Sequence, residues 1–242
     1  MEQPLPMLLE FIVVVTTLLV LALMSHHLDV VTAGSDSSAE TVEWMLAELM
    51  NHPEAMRKVR EEIDAVAGGG DRIVGEADLP RLPYLQAAFK ETLRLHPAAP
   101  IAHRVSTGEV AVGGFAVPPR AAVFINVWAL GRDPAVWEDP PAFRPERFMP
   151  GGAAAAGLEP RGQHAQFMPF GGGRRGCPGV GLAQQSVPAA LAALVQCFDW
   201  AVADGETGVV DMDESEVGLV CARKHPLLLR PTARLNPFLA VV

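Results

Sequence analysis

A mainly α fold with a minor antiparallel β-sheet is predicted by three features of this 242-residue sequence. Apolar residues recur at helical spacing in long segments near both ends. Short β-branched runs between residues 110 and 127 are broken by a Gly113-Gly114 pair, the pattern of a hairpin. Between residues 131 and 169, proline and glycine replace periodicity, so irregular connections are expected there.

The elements follow in chain order. Leu5 to Met24 is twenty residues long and carries one charge, Glu10. At 1.5 Å per residue, about 20 residues cross a bilayer core. A signal-anchor helix and a buried core helix both fit. Ser25-His26-His27 follows where a Lys/Arg cluster would have fixed an orientation. Asp36 to Met50 reads as a helix with Val42, Met45, Leu46 and Leu49 on one face. Asn51-His52-Pro53 breaks it, and Pro53 suits the first turn of the next helix. That helix shows Met56, Val59, Ile63 and Val66 on one face, and Gly68-Gly69-Gly70 ends it. A third helix is expected from Tyr84 to Leu95, stopped by Pro97. Val110–Val112 and Phe115–Val117 form the hairpin, and Ala122–Val127 is a third strand. The Ala153–Ala156 tract reads as a tolerated loop insertion. Val180 to Phe198 is a long helix, apolar enough to be buried nearly all round, and Val209–Val210 with Leu227–Leu229 is a last strand pair.

Composition narrows the function. There are 28 Asp and Glu against 19 Lys and Arg, a net charge of −9, so nucleic acid is not an expected partner. The three cysteines, Cys177, Cys197 and Cys221, are far apart, which suits a reducing compartment better than a disulfide scaffold.

The stretch "FGGGRRGCPG", Phe170 to Gly179, carries the chemistry. Cys177 precedes Pro178, where the next helix is expected to begin, so the positive end of a helix dipole would face the sulfur. A thiolate in such a place is a nucleophile, a redox sensor or a metal ligand. A nucleophile needs a base, and His164, the nearest histidine in sequence, lies in a loop without a recognisable pairing. The glycines strip side chains from the backbone and allow a large flat body to approach. A thiolate ligand beneath a haem fits this pattern, with Arg175 against a propionate and Phe170 packed beside the sulfur.

Phe170, Gly173, Arg175, Cys177 and Gly179 match in type and spacing the haem-binding signature of cytochromes P450, which the sequence resembles. Glu91-Thr92-Leu93-Arg94 is similar to the family's ExxR motif, and residues i and i+3 share a helix face. The resemblance implies a buried triad of Glu91, Arg94 and a downstream arginine, which looks like Arg147 in "FRPERF". Ala33-Gly34-Ser35-Asp36-Ser37-Ser38 resembles the oxygen-side motif. Ala33 and Gly34 would then form the helix kink that admits dioxygen, and Asp36 and Ser37 would pass protons. Ser37 stands where the family usually has threonine. "HPAAPIAHR", His96 to Arg104, resembles the segment that lines substrate, implying substrate contacts at Ile101 and Ala102 and a second propionate partner in Arg104. Val217 and Leu219 fall in what resembles the last substrate-contacting turn.

The resemblance runs from about Val30 to Pro231 and follows the C-terminal half of a plant microsomal enzyme, similar to the flavone synthase and 2-hydroxyisoflavanone synthase group. It implies haem b with Cys177 as axial ligand to the iron. It also implies dioxygen, NADPH–cytochrome P450 reductase and a small apolar, flavonoid-like metabolite as partners. The expected location is the endoplasmic reticulum membrane, with the catalytic part in the cytosol. The expected organisation is a hydrophobic segment over residues 1–24 and half a haem domain over residues 25–242. Only about eight residues separate Met24 from Ala33. One reading is a shortened protein with a half-walled pocket. In the other, Phe11–Met24 is the first half of one helix from Leu5 to Met50, roughly 69 Å long. A non-catalytic haem-binding or partner-binding remnant is the alternative to an active monooxygenase.

Overall fold

The computed structural model describes residues 5–68, 72–152, 157–203 and 208–235. The Ala153–Ala156 tract and Gly69-Gly70 lie outside the described residues. The chain divides into two units, Met1–Asp36 and Ser37–Val242. Helix α1 (Leu5–Asn51) is continuous across that division, so the apolar N-terminal stretch and the Asp36–Met50 helix belong to one element. In the first unit the large apolar side chains described from Val15 to Val31 are exposed, among them Leu18, Met24 and Leu28.

The second unit holds the core. Helices α2 (Pro53–Ala67) and α3 (Pro83–Leu95) both have proline in their first turn, where its missing N–H leaves no helical bond unmade. Gly68 ends α2 in the left-handed conformation, φ 72°, and its N–H donates to the Asp64 carbonyl. A 3-10 segment, Glu76–Arg81, precedes α3, and Arg72 and Arg81 both pair with Asp78 within it. Met45 and Leu49 of α1, Val59 and Ile63 of α2, and Leu85 and Phe89 of α3 are buried in one cluster. Short α4 (Val127–Leu130) is capped by the Asn126 side chain, which accepts from the Ala129 N–H.

Helix α5 (Val180–Cys197) joins this core by a single stripe, Val187, Leu191 and Val195. Burial nearly all round is therefore corrected: Leu182 is 68% exposed, because only the C-terminal half of α5 meets the core. The helix starts at Val180, as its apolar run predicts, but Pro178 is not its first residue. Gly179 is its N-cap and its carbonyl accepts the first helical bond from Ala183, so Pro178 lies in the preceding turn.

The β structure is three separate two-stranded antiparallel sheets. Strand β1 (Ile101–Val105) pairs with β4 (Ala122–Asn126), setting Arg104 opposite Val123. The hairpin β2 (Val110–Val112) and β3 (Phe115–Val117) turns at Gly113-Gly114, both at positive φ. The last pair is β5 (Phe198–Val202) with β6 (Leu229–Ala233), which corrects the strand expected at Val209–Val210. Val210 is buried, and Asn51 takes the place of a strand partner. The Asn51 amide donates to the Val210 carbonyl and accepts from its N–H, each at 2.8 Å.

Candidate functional site

Two of the motifs form compact constellations. Glu91 on α3 is fully buried and accepts from Arg94 Nε at 2.8 Å and Nη2 at 2.7 Å. Arg147, in the 3-10 turn Pro145–Phe148, donates from Nε to Glu91 Oε1 at 3.2 Å. The Arg144 N–H adds a bond to the same oxygen at 2.8 Å. One carboxylate between two guanidiniums leaves a positive excess, and backbone carbonyls meet it. Arg94 donates to Gly131, Pro140 and Ala142, and Arg147 to Asp139. Those four carbonyls are backbone positions, so the cluster ties α3 to the chain between Gly131 and Arg147. Such a network specifies geometry more than it adds stability.

The second constellation is the cysteine loop. Gly171 and Gly173 adopt left-handed backbone, φ 68° and 66°, which favours glycine. A 3-10 turn, Gly173–Arg175, closes with the Gly176 N–H on the Gly173 carbonyl. The Cys177 N–H then donates to the Phe170 carbonyl at 2.9 Å, so the chain doubles back on itself. The Cys177 thiol is exposed. It borders a cavity of about 160 Å³, shared with Arg161, Phe170, Gly173, Gly176 and Val180. Phe170 is half-buried and packs against the core as well. Gly179 lies beside the sulfur, where a Cβ would make ordinary contact with Cys177 Sγ at 3.7 Å.

Arg104 reaches this loop from β1. Its Nη2 donates to the Arg175 carbonyl at 3.2 Å and its Nη1 to the His103 carbonyl at 2.8 Å. Arg175 itself is exposed. The structure thus gathers Phe170, Gly173, Arg175, Cys177, Gly179 and Arg104 at one place. Ile101 and Ala102 also lie on β1, but neighbours on a strand face opposite ways. Ala102 shares the half-buried face with Arg104, while Ile101 is 55% exposed on the other. Val217 and Leu219 are exposed in the C-terminal loop, at 82% and 96%. That loop is anchored at Cys221, whose N–H donates to Ala98 and whose carbonyl accepts from Trp44 Nε1.

Ala33, Gly34 and Asp36 lie in the first unit, exposed on α1. Ala33 and Gly34 both lie within helix α1. Ser37 opens the second unit, and its carbonyl accepts from Thr41 Oγ1 at 2.7 Å.

Sequence reasoning passed over two residues next to the cysteine loop. Arg161 lines the cavity, and Gly162 presses against Gly171 and Gly172. The only signal for either was a glycine between polar residues in a segment of low periodicity.

The residues present fit a metal delivered by a prosthetic group. Among the described residues, no group of three or more His, Cys, Asp or Glu side chains is placed to hold a metal ion. Cys177 offers one ligand, in an opened glycine loop with guanidiniums at hand. A metal bound there must bring its other ligands with it.

Comparison with known proteins agrees with the fold. The cytochrome P450 family model matches residues 16–230, and the chain belongs to that family. Cytochrome P450 93G1 of Oryza sativa subsp. japonica is 71% identical over 211 residues, covering 87% of this chain and 40% of that protein. The 3,9-dihydroxypterocarpan 6A-monooxygenase of Glycine max is 49% identical over 211 residues, with coverage of 87% and 40%. A zebra fish cytochrome P450 solved with abiraterone superposes with a TM-score of 0.72 at 30% identity, covering 84% of this chain and 46% of that one. The chain spans about two-fifths of the length of the curated relatives it matches.

Proposed function

We propose that this chain carries the haem-thiolate half of a plant monooxygenase. The observation that carries the reading is the exposed Cys177 thiol, held by the Cys177 N–H to Phe170 carbonyl bond in a glycine-opened loop beside Arg104. Cys177 would supply the thiolate that holds haem b, and Arg175 and Arg104 would be the cations that meet its propionates. A haem with a thiolate ligand supplies the activation of dioxygen, with electron density from sulfur favouring O–O cleavage. One oxygen atom enters the substrate and the other leaves as water, using two electrons and two protons. NADPH–cytochrome P450 reductase would give the electrons. Asp36 and Ser37 would supply the protons, a role that rests on their place in the sequence motif.

The substrate class we infer is a small apolar flavonoid-like metabolite, because the Glycine max relative is a dihydroxypterocarpan monooxygenase and another relative is a flavonoid 3'-monooxygenase of Crocosmia x crocosmiiflora. Ala102 would contact it from the face it shares with Arg104, and Ile101, Val217 and Leu219 are the further candidates. We place the protein at the endoplasmic reticulum membrane, with Leu5–Met24 as anchor and the second unit in the cytosol. The exposed apolar side chains described between Val15 and Met24 support that placement.

Incubation with haem, the reductase, NADPH, a flavonoid and isotopically labelled dioxygen tests the reading. The expected product carries one labelled oxygen atom and is lost when Cys177 is replaced by alanine. Haem uptake with neither labelled product nor haem-dependent NADPH consumption would favour the non-catalytic alternative.

A further inference from the structure

The chain between Arg161 and Gly172 forms a small closed loop against the cysteine segment. Two turns shape it: the Phe167 N–H donates to the His164 carbonyl at 3.0 Å, and the Gly171 N–H to the Met168 carbonyl at 2.9 Å. Phe167 is its anchor, 2% exposed and packed on Phe148 with ring centroids 5.1 Å apart. The neck of the loop is made without side chains. Gly162 has φ 72°, and a Cβ built on it would lie 2.5 Å from Gly172 Cα and nearer still to the Gly171 carbonyl oxygen. The contact is reciprocal, since a Cβ on Gly172 would lie 3.1 Å from the Gly162 carbonyl oxygen. Both obstacles are backbone, which cannot swing aside as a flexible side chain does.

We propose that Gly162 is a positioning residue for Cys177. Its bare backbone lets the Gly171-Gly172 step sit where the adjoining Phe170 carbonyl can receive the Cys177 N–H. A side chain at position 162 pushes that step outward and releases the cysteine from its fixed direction. The spectral part of the test rests on the haem-thiolate reading; the thiol part does not.

The comparison is Gly162→Ala against Gly113→Ala in the full chain. Gly113 also has positive φ, 58°, but a Cβ there meets nothing within 4 Å, so it bears the backbone strain without the collision. Cys177 alkylation by iodoacetamide, read by peptide mass mapping in the haem-free protein, reports the thiol's setting. In Gly162→Ala the rate should change by at least about threefold, and in Gly113→Ala it should stay near wild type. After haem addition, the ferric low-spin spectrum of Gly162→Ala should move while that of Gly113→Ala stays put. If Gly162→Ala does not fold, Gly172→Ala replaces it. That residue's backbone is extended, φ −152°, so its Cβ adds only the 3.1 Å approach, and a smaller change in the same readouts is expected. Wild-type alkylation in whichever variant folds overturns the proposal. A wild-type chain without a thiolate–haem spectrum overturns the haem reading and leaves the alkylation result to decide Gly162.

Discussion

Glu91 and Arg94, one helical turn apart on α3, share a two-point contact in which each carboxylate oxygen takes a guanidinium hydrogen bond and both side chains are shut from solvent. Removing Arg94 would strand a buried carboxylate with Arg147 as its remaining cation, at a single 3.2 Å contact. Arg94→Leu should therefore destabilise the fold by on the order of 3–5 kcal/mol, and Arg147→Leu by less. Urea unfolding of the three proteins measures the order. Equal losses would mean that the two arginines share the carboxylate evenly.

Gly131 abuts the same cluster. Its backbone is right-handed, φ −69°, yet a Cβ would lie 3.2 Å from the Arg94 carbonyl carbon and closer to the oxygen. Gly131→Ala should cost about 1–3 kcal/mol through overpacking alone. Gly108→Ala, where a Cβ meets nothing within 4 Å, should stay within about 0.5 kcal/mol. Thermal unfolding of both variants checks the contrast.

The motifs and the helices were legible because their information is local. Glu91 and Arg94 are three residues apart, α2 announces itself by Pro53 and a regular apolar face, and α3 is stopped by Pro97. Pairings across long separations were not legible. "IAHRV" reads as a mixed segment until β4 arrives to pair with it, and its partner Ala122–Asn126 was recognised without its mate. In β5, Phe198 continues an apolar helical run, and β6 starts only at Leu229, the last residue of the expected Leu227–Leu229 strand, and runs on through Pro231. A two-stranded sheet tolerates that proline because its outer edge needs no donor. Gly162 was invisible for a similar reason: a missing Cβ matters only once Gly171 and Gly172 have been brought beside it.

The thiols should separate by reactivity. Cys177 is exposed, Cys197 is half-buried, and burial, then the neighbouring Glu214 carboxylate, pushes the Cys221 thiol up to about 12. At pH 8 the folded protein should be alkylated at Cys177 at least about a hundredfold faster than at Cys221. The Cys221 proton is held in the folded state where the unfolded thiol loses it, so this group lowers stability as pH rises from 9 toward 12. Peptide mapping across a time course of alkylation checks the first statement, and denaturant midpoints of wild type and Cys221→Ser across that range check the second.

Glu48 lies between His52 and His96, with His96 Nε2 2.8 Å from Oε1 and His52 Nδ1 3.3 Å from Oε2. Burial pushes the Glu48 carboxyl up, but hydrogen bonds from His52 and His96 outweigh it and hold it below its ordinary value of 4.5. The hydrogen bond to Glu48 raises His52 above 6.5 against a smaller effect of burial. The His52 contribution is complete below 6.5 and fades as pH rises through the raised value. The Glu48 contribution is complete above 4.5 and fades as pH falls through the lowered one. Stability from this pair should be greatest between those limits. His52 is partly exposed, so solvent keeps its share below about 1 kcal/mol. Urea midpoints should fall from pH 6.5 to 8.5 more in wild type than in His52→Gln, and parallel curves would rule the pair out.

The account stands on Cys177 as the sulfur that meets haem iron. The most direct measurement is the absorption spectrum of the haem-loaded chain, reduced and saturated with carbon monoxide, for wild type, Cys177→Ala and Cys197→Ala. The red-shifted Soret band of a thiolate-bound haem is expected in wild type and Cys197→Ala and absent from Cys177→Ala. A wild-type spectrum without that band, or a band that survives Cys177→Ala, would contradict the assignment.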